Sequence, residues 1–254
     1  MHLPKPSVEP SARWVRVKFG GEFVADSKRT LLLRQYGPTG LPTYYFPQED
    51  VRTDVRAPGR PVPNEQALEH WTVRVGDRIA ENAAWTYVNP PSELAALHGY
   101  VSFHWAKMDA WYEEDEQVFV HARDTRTRVD VMPSSRHVRV VIAGETVAET
   151  TRPSLLFETD LPTRFYIPRD DVRMDLLEPG QIKTRCPYKG VATYWSARVG
   201  DTLSKNVAWC YEDPIPECPK IRGLLAFFNE RVDLYVDGEL QERPKTPWSE
   251  QPTW

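Results

Sequence analysis

The sequence predicts a mostly β protein built from two tandem copies of one small domain. Three observations carry this: 23 prolines among 254 residues, short stretches of alternating apolar and polar side chains, and a block order that recurs after 121 to 124 residues. Proline removes an amide donor and clashes with the preceding turn, so this density excludes long helices. In residues 14–19, Val15, Val17 and Phe19 share one face while Arg16 and Lys18 take the other, the two-residue period of a half-buried strand. Residues 70–75 read the same way, with Trp71, Val73 and Val75 inward and His70, Thr72 and Arg74 outward. Helix is expected only as short turns such as Ser92–Leu97.

The repeat is dense. Val15-Arg16-Val17 returns as Val138-Arg139-Val140, and Gly21-Glu22 as Gly144-Glu145, both 123 residues later. The Asp50-Val51-Arg52-Thr53-Asp54 block returns as Asp171-Val172-Arg173-Met174-Asp175, 121 residues later. Arg74-Val75-Gly76-Asp77 and Asn82-Ala83-Ala84-Trp85 return as Arg198-Val199-Gly200-Asp201 and Asn206-Val207-Ala208-Trp209, 124 residues later. Small register changes at loops mark a duplicated domain, because loops tolerate insertions. The first copy is set at 11–112 and the second at 137–240, each large enough to bury a core. The joint at 113–136 carries Val118-Phe119-Val120 and Val129-Asp130-Val131 rather than Gly and Ser. It is expected to be an ordered connector. The proline-rich ends, before Arg13 and after Leu240, are expected to be loose.

Composition narrows the classes. A formal charge of -4 opposes nucleic acid or anionic lipid as a partner. No apolar run reaches the length of a membrane span, and residues 1–10 show no secretory core. Three cysteines (Cys186, Cys210 and Cys218) make no disulfide framework. A cytoplasmic, soluble protein is the expectation. The six histidines fall before the body of the second copy and no Cys-x-x-Cys pair exists, so no metal site is expected. His98 and His104, six apart, would share one face of a strand. Stacking of single-stranded nucleic acid on the many aromatics competes with a core role. Trp85, Trp209, Phe103 and Phe227 stand at repeat-equivalent positions, as core anchors do.

The copies part at one block. The second holds Thr184-Arg185-Cys186-Pro187-Tyr188-Lys189-Gly190 and then Tyr194-Trp195, and the first lacks the Cys, the Lys-Gly and the first Tyr. Cys186 and Lys189 are the candidate catalytic residues, since cations beside a thiol favour thiolate. Tyr188, Tyr194, Trp209 and Tyr211 are candidate walls of a ligand pocket. The competing reading makes Cys186 a small buried hydrophobe beside a proline turn. Arg173 and Asp175 are candidate ligand-binding residues, an arginine set to hold an anion between acids. The competing reading makes them a charge cluster closing a turn, since the first copy keeps Arg52 and Asp54 without the cysteine block.

DVRMDLLEP (171–179), TRCPYKG (184–190), TYWS (193–196), NVAWCYEDP (206–214) and IRGLLAFFNERVDLYVDGE (221–239) occur in that order. The chain resembles tandem-domain members of an uncharacterised family called domain of unknown function 427. The first copy matches more loosely, through PQEDVRTD, RVGD, NAAW and HGYVSFHW. The resemblance implies a small β-rich pseudo-barrel per copy and a ligand pocket, but no established reaction. The family also carries a nucleotidyltransferase-type label. No glycine-rich phosphate loop followed by paired metal-binding aspartates accompanies it here. The expected function is small-molecule binding by the second copy, with thiol or lysine chemistry if it is an enzyme. The rival is a structural or protein-interaction module. Cofactor, reaction and oligomeric state stay open.

Overall fold

The structure is a computed structural model that describes residues 5–36, 40–62 and 67–250. The end of the first copy's divergent block, at 63–64, lies outside the described residues, as do 1–4 and 251–254. The chain divides between Asp124 and Thr125 into two compact units. No helix among the described residues is long and apolar enough to cross a membrane.

Each unit pairs a seven-stranded antiparallel sheet with a four-stranded one. In the N-terminal unit the large sheet runs Ser7–Pro10, Leu31–Arg34, Thr43–Pro47, Tyr100–Phe103, Arg78–Tyr87, Leu68–Val75, Arg56–Pro58. The small sheet runs Glu22–Ser27, Val15–Phe19, Ala110–Glu113, Glu116–Val118. The C-terminal unit repeats both orders strand for strand. Its large sheet runs Val129–Pro133, Ser154–Glu158, Arg164–Ile167, Leu225–Phe227, Thr202–Cys210, Gly190–Val199, Leu177–Cys186. Its small sheet runs Glu145–Thr150, Val138–Ile142, Asp233–Val236, Glu239–Leu240. The protein is therefore mostly β and duplicated, as the repeat predicts. The sheets stay open, with no closed barrel among the described strands.

The duplication extends to single contacts. Trp85 lies opposite His70 and Ser102 in one ladder, and Trp209 opposite Tyr194 and Ala226 in the other. The Arg52 amide donates to the Val24 carbonyl at 3.0 Å, and the Arg173 amide to that of Val147 at 2.9 Å.

Strand alternation sorts the side chains of each large sheet to two sides. Between the two sheets of the C-terminal unit lie Val138, Val140, Ile167, Ala197, Ala208, Cys210 and Phe227. On the outer side of the large sheet a second cluster gathers Tyr166, Ala192, Tyr194, Trp209, Tyr211, Ile221 and Phe228. The N-terminal unit has the same two layers, with Tyr45, Leu33, Leu94 and Leu97 on its outer side and Trp85 and Tyr87 packed against them.

That second layer corrects one expectation. His70 is 7% exposed, not solvent-facing, because the outer face of the sheet is itself covered and a bulge between Trp71 and Val73 interrupts the alternation. Two more readings of extended strand give way to turns. Val172 makes one bridge to Ala148 between the 3-10 turns Arg169–Asp171 and Met174–Leu176. His98 follows the 3-10 turn Ser92–Leu97, whereas His104 begins the turn at Trp105–Lys107, so the strand Tyr100–Phe103 separates them.

The ends are more ordered than their composition suggests. Ser7–Pro10 is a sheet edge paired with Leu31–Arg34, and residues 241–250 fold back on their own unit, where Trp248 packs on the outer cluster. Within the connecting stretch, Glu116–Val118 pairs with Ala110–Glu113 in the N-terminal unit. Val129–Pro133 pairs with Ser154–Glu158 in the C-terminal one.

Candidate functional site

The Cys-Pro-Tyr-Lys-Gly block closes a hairpin. Cys186 and Gly190 are the last paired residues of the strands Leu177–Cys186 and Gly190–Val199, and Pro187, Tyr188 and Lys189 form the turn. Pro187 presets its backbone angle, and Gly190 takes φ +105°, a conformation that penalises any Cβ. The turn is then pinned from outside. Ile215 donates its amide to the Lys189 carbonyl at 3.1 Å, and Gly190 forms a bridge to Pro214.

With its backbone held, the Lys189 side chain turns inward. Its Nζ lies 2.5 Å from Glu158 Oε2, and the two side chains are only 11% and 9% exposed. Burial pulls the Lys189 ammonium down, but Glu158, with Cys186 and Tyr166, pushes it well above the ordinary lysine range. Lys189 is therefore a cation and hydrogen-bond donor at neutral pH.

Cys186 is half-buried at the mouth of the same cluster. Burial pushes its thiol up, Lys189 pulls it down and Glu158 pushes it up again, and the backbone amides of Tyr188 and Lys189 aimed at the sulfur pull it down. Burial wins, and the thiol stands above its ordinary value rather than below it. The sequence expectation of a lowered value fails because the thiol is buried, and because Lys189 brings Glu158 with it.

Three phenols surround the pair. The Tyr194 hydroxyl shares a 2.8 Å hydrogen bond with Thr184 Oγ1. Tyr166 accepts a hydrogen bond from Trp209 Nε1 at 3.1 Å, and the two rings meet edge to face with centroids 6.2 Å apart. Burial raises all of Tyr166, Tyr194 and Tyr211 above the usual phenol range. The field of Tyr211 includes Cys186, Tyr166, Tyr194 and Glu158, so these groups form one coupled patch. A surface cleft of about 270 Å³ shares Val129, Val131 and Cys218 with the edge of this cluster.

The structure thus brings together Cys186, Lys189, Tyr194, Trp209 and Tyr211, while Tyr188 stands half-buried on the turn. Arg173 and Asp175 are not members of this cluster. They form a fork, Arg173 Nε to Asp175 Oδ1 at 2.8 Å and Nη2 to Oδ2 at 2.6 Å, with Glu145 3.5 Å from the guanidinium. Arg52, Asp54 and Glu22 make the same arrangement in the N-terminal unit. Sequence reasoning missed Glu158 and Tyr166. Tyr166 carried one signal, since it lies 121 residues after Tyr45, whereas Glu158 carried none. Among the described residues, no three His, Cys, Asp or Glu side chains gather as a metal site.

Two open β-sheets per unit, repeated in tandem, with one copy carrying a buried Lys–Glu pair under a Cys-Pro-Tyr-Lys-Gly hairpin, define a duplicated β domain whose copies share a frame and differ in the residues it carries. The chain belongs to the family described as Domain of unknown function (DUF427), NTP_transf_9, whose model matches residues 7–114 and 130–238. No curated protein matches it.

Proposed function

We propose that the C-terminal unit binds a small molecule at the cluster of Lys189, Glu158 and Cys186, with Tyr188, Tyr194, Trp209 and Tyr211 as its aromatic walls. The observation that carries this reading is the buried ion pair ringed by a thiol and three phenols. A buried pair is poor value for stability, because desolvation offsets most of its attraction. Strongly shifted titratable groups gathered at one place favour a functional site. The cleft beside Cys218 supplies an approach.

In this reading Lys189, held as a cation, donates to a polar or anionic group of the ligand in exchange for Glu158. Cys186 is the group with nucleophilic chemistry: an ammonium and two backbone amides favour its thiolate, against the burial and the Glu158 carboxylate that hold the thiol above its ordinary value. Arg173 and Asp175 serve the fold through the fork that both copies share. The rival reading, a purely structural or interaction module, treats the Lys189–Glu158 pair as a fastener for the hairpin.

The test is the pH dependence of iodoacetamide labelling at Cys186, with Cys210 and Cys218 changed to serine. In the native chain half-labelling falls above the ordinary thiol value. In Glu158→Gln it moves to lower pH, because the carboxylate that opposes the thiolate is gone, and in Lys189→Ala it does not. A thiol inert until the protein unfolds in all three chains ends the reading.

A further inference from the structure

The outer cluster of the C-terminal unit continues past Trp209 to a second group of residues that the Lys189 site does not use. Arg164 is 7% exposed and Glu230 is 5% exposed. They form a fork, with both guanidinium nitrogens 2.7 Å from the two carboxylate oxygens. The guanidinium carbon of Arg164 lies 5.5 Å from the Trp209 ring, 5.9 Å from Phe228 and 5.6 Å from Trp248. Trp209 and Phe228 are themselves in contact, their centroids 4.5 Å apart. A buried arginine faced by several rings is a favourable place for a planar π system.

Two of those three rings belong to sheet strands or their immediate continuation. The third does not. Trp248 lies in residues 241–250, beyond the stretch that matches the family. Beyond Gln241 that segment makes no sheet pairing, and its backbone bonds are local: Trp248 N to Thr246 Oγ1 at 3.1 Å, Thr246 N to Ser249 Oγ at 2.9 Å, and Ser249 N to the Thr246 carbonyl at 3.1 Å. It reaches the body of the unit through the Gln241 amide, which donates to the Leu234 carbonyl at 2.8 Å, through Trp248, through Thr246 Oγ1, which donates to Glu230 at 2.6 Å, and through Arg243 on Asp233 at 2.7 Å. A cleft of about 450 Å³ runs beside it, lined by Asp160, Pro162 and the chain from Glu242 to Thr246. The N-terminal unit has no equivalent cation here, because Thr43 holds the ladder position of Arg164, opposite Leu33 as Arg164 is opposite Leu156.

We infer that Arg164, Trp209 and Phe228 form a subsite for a planar aromatic group, and that the chain fills it with its own Trp248, making residues 241–250 a displaceable strap. The indole shows which chemistry the subsite accepts: a flat, electron-rich ring against a guanidinium whose charge Glu230 already balances. Thr246 completes the seal by taking a Glu230 oxygen. The inference rests on the small-molecule reading for its consequence, since Trp209 also bonds to Tyr166 of the Lys189 site. An aromatic ligand that displaces Trp248 would reach toward that site.

The test uses 8-anilinonaphthalene-1-sulfonate as the aryl probe and three chains: the full chain, Trp248→Ala, and a chain ending at Leu240. The full chain should bind little probe. Trp248→Ala and the shortened chain should each bind one equivalent, with a several-fold rise in fluorescence and a cooperative thermal transition retained. A synthetic peptide of residues 241–254 should suppress the signal, and the same peptide with alanine for Trp248 should not. A folded Trp248→Ala chain without the gain overturns the inference, and so does a gain that the peptide leaves unchanged. Should the shortened chain lose its transition, Trp248→Ala decides alone; loss of the transition in both makes the segment part of the core and overturns it. Cys186 labelling reports on the Lys189 site independently, so either reading can fail while the other stands.

Discussion

A Cβ placed on Gly180 would come within 2.9 Å of the Asn206 side-chain oxygen and 3.1 Å of the Tyr194 carbonyl, and one on Gly59 would come within 2.6 Å of the Asn82 oxygen and of the His70 carbonyl. Both asparagines adopt the left-handed conformation, φ 48° at Asn82 and 47° at Asn206. The Asn82 oxygen accepts the Arg60 amide at 2.8 Å. The two glycines thus let the edge segment of each unit pass directly over an asparagine that sits where the neighbouring ladder shifts register.

Gly180→Ala and Gly59→Ala should each destabilise their own unit by ~1–3 kcal/mol, the usual cost of forcing extra volume into a tight contact. Urea unfolding followed by tryptophan fluorescence measures it. Gly76→Ala is a control for backbone strain alone, because its added Cβ would meet nothing within 4 Å. It should cost less than either.

Removing one half of the Lys189–Glu158 pair leaves a buried carboxylate without its cation. Lys189→Met should therefore lose ~3–5 kcal/mol, while Lys189→Met with Glu158→Leu recovers most of it. Chemical denaturation of the three chains reads the cycle. Equal losses in the single and double variants would show that the pair contributes nothing through its charge.

Acid should act on the Arg164–Glu230 fork. Burial pushes the Glu230 carboxyl up, but the Arg164 guanidinium and the Thr246 hydroxyl more than offset it and hold the group below its usual range. A depressed carboxyl contributes stability that is full above its unfolded value and is lost as pH falls through its folded value. The stability gap between the native chain and Glu230→Gln should be constant near neutrality and close below about pH 4.5. Denaturant midpoints measured from pH 7 to pH 3 check the sign.

Burial pushes the Cys210 and Cys218 thiols up to about 11. Neither should take up iodoacetamide at pH 8 in the folded chain, and both should do so in denaturant. Mass spectrometry of labelled peptides separates them from Cys186.

The unit boundary gives another expectation. Residues 125–254 expressed alone should fold, with a cooperative thermal transition, because the strand Val129–Pro133 supplies the edge that Ser154–Glu158 pairs with. A chain starting at 137 lacks that edge and should be less stable.

The architecture was legible because duplication and alternation are both local signals. Val15, Val17 and Phe19 bury as their spacing requires, and the turn at Pro187 follows from the proline itself, although the hairpin it closes does not. Glu158 was not legible, because nothing near it in sequence points to Lys189; their meeting depends on how the Ser154–Glu158 strand is placed in the sheet. His70 failed for a related reason. A two-residue period separates two faces but does not tell which is wet, and here the outer one carries a second hydrophobic layer. The Asp-Val-Arg blocks misled through their spacing, since two carboxylates flanking an arginine look alike on a strand and across two 3-10 turns.

The clasp repeated at Arg52 and Arg173 has a consequence for how this protein can change. Each holds its turn from the small-sheet side, against Glu22 and Glu145, while the residues that distinguish the copies, His70 against Tyr194 and His104 against Phe228, hang from the opposite side of the large sheet. The scaffold and the variable surface therefore occupy separate faces of one sheet, and replacing a residue on one leaves the fasteners of the other in place. Transplanting Tyr194, Phe228, Glu158 and the Cys-Pro-Tyr-Lys-Gly hairpin into the N-terminal unit is then a graft onto an existing frame, one that already presents Tyr45, Trp85 and Tyr87 to receive it.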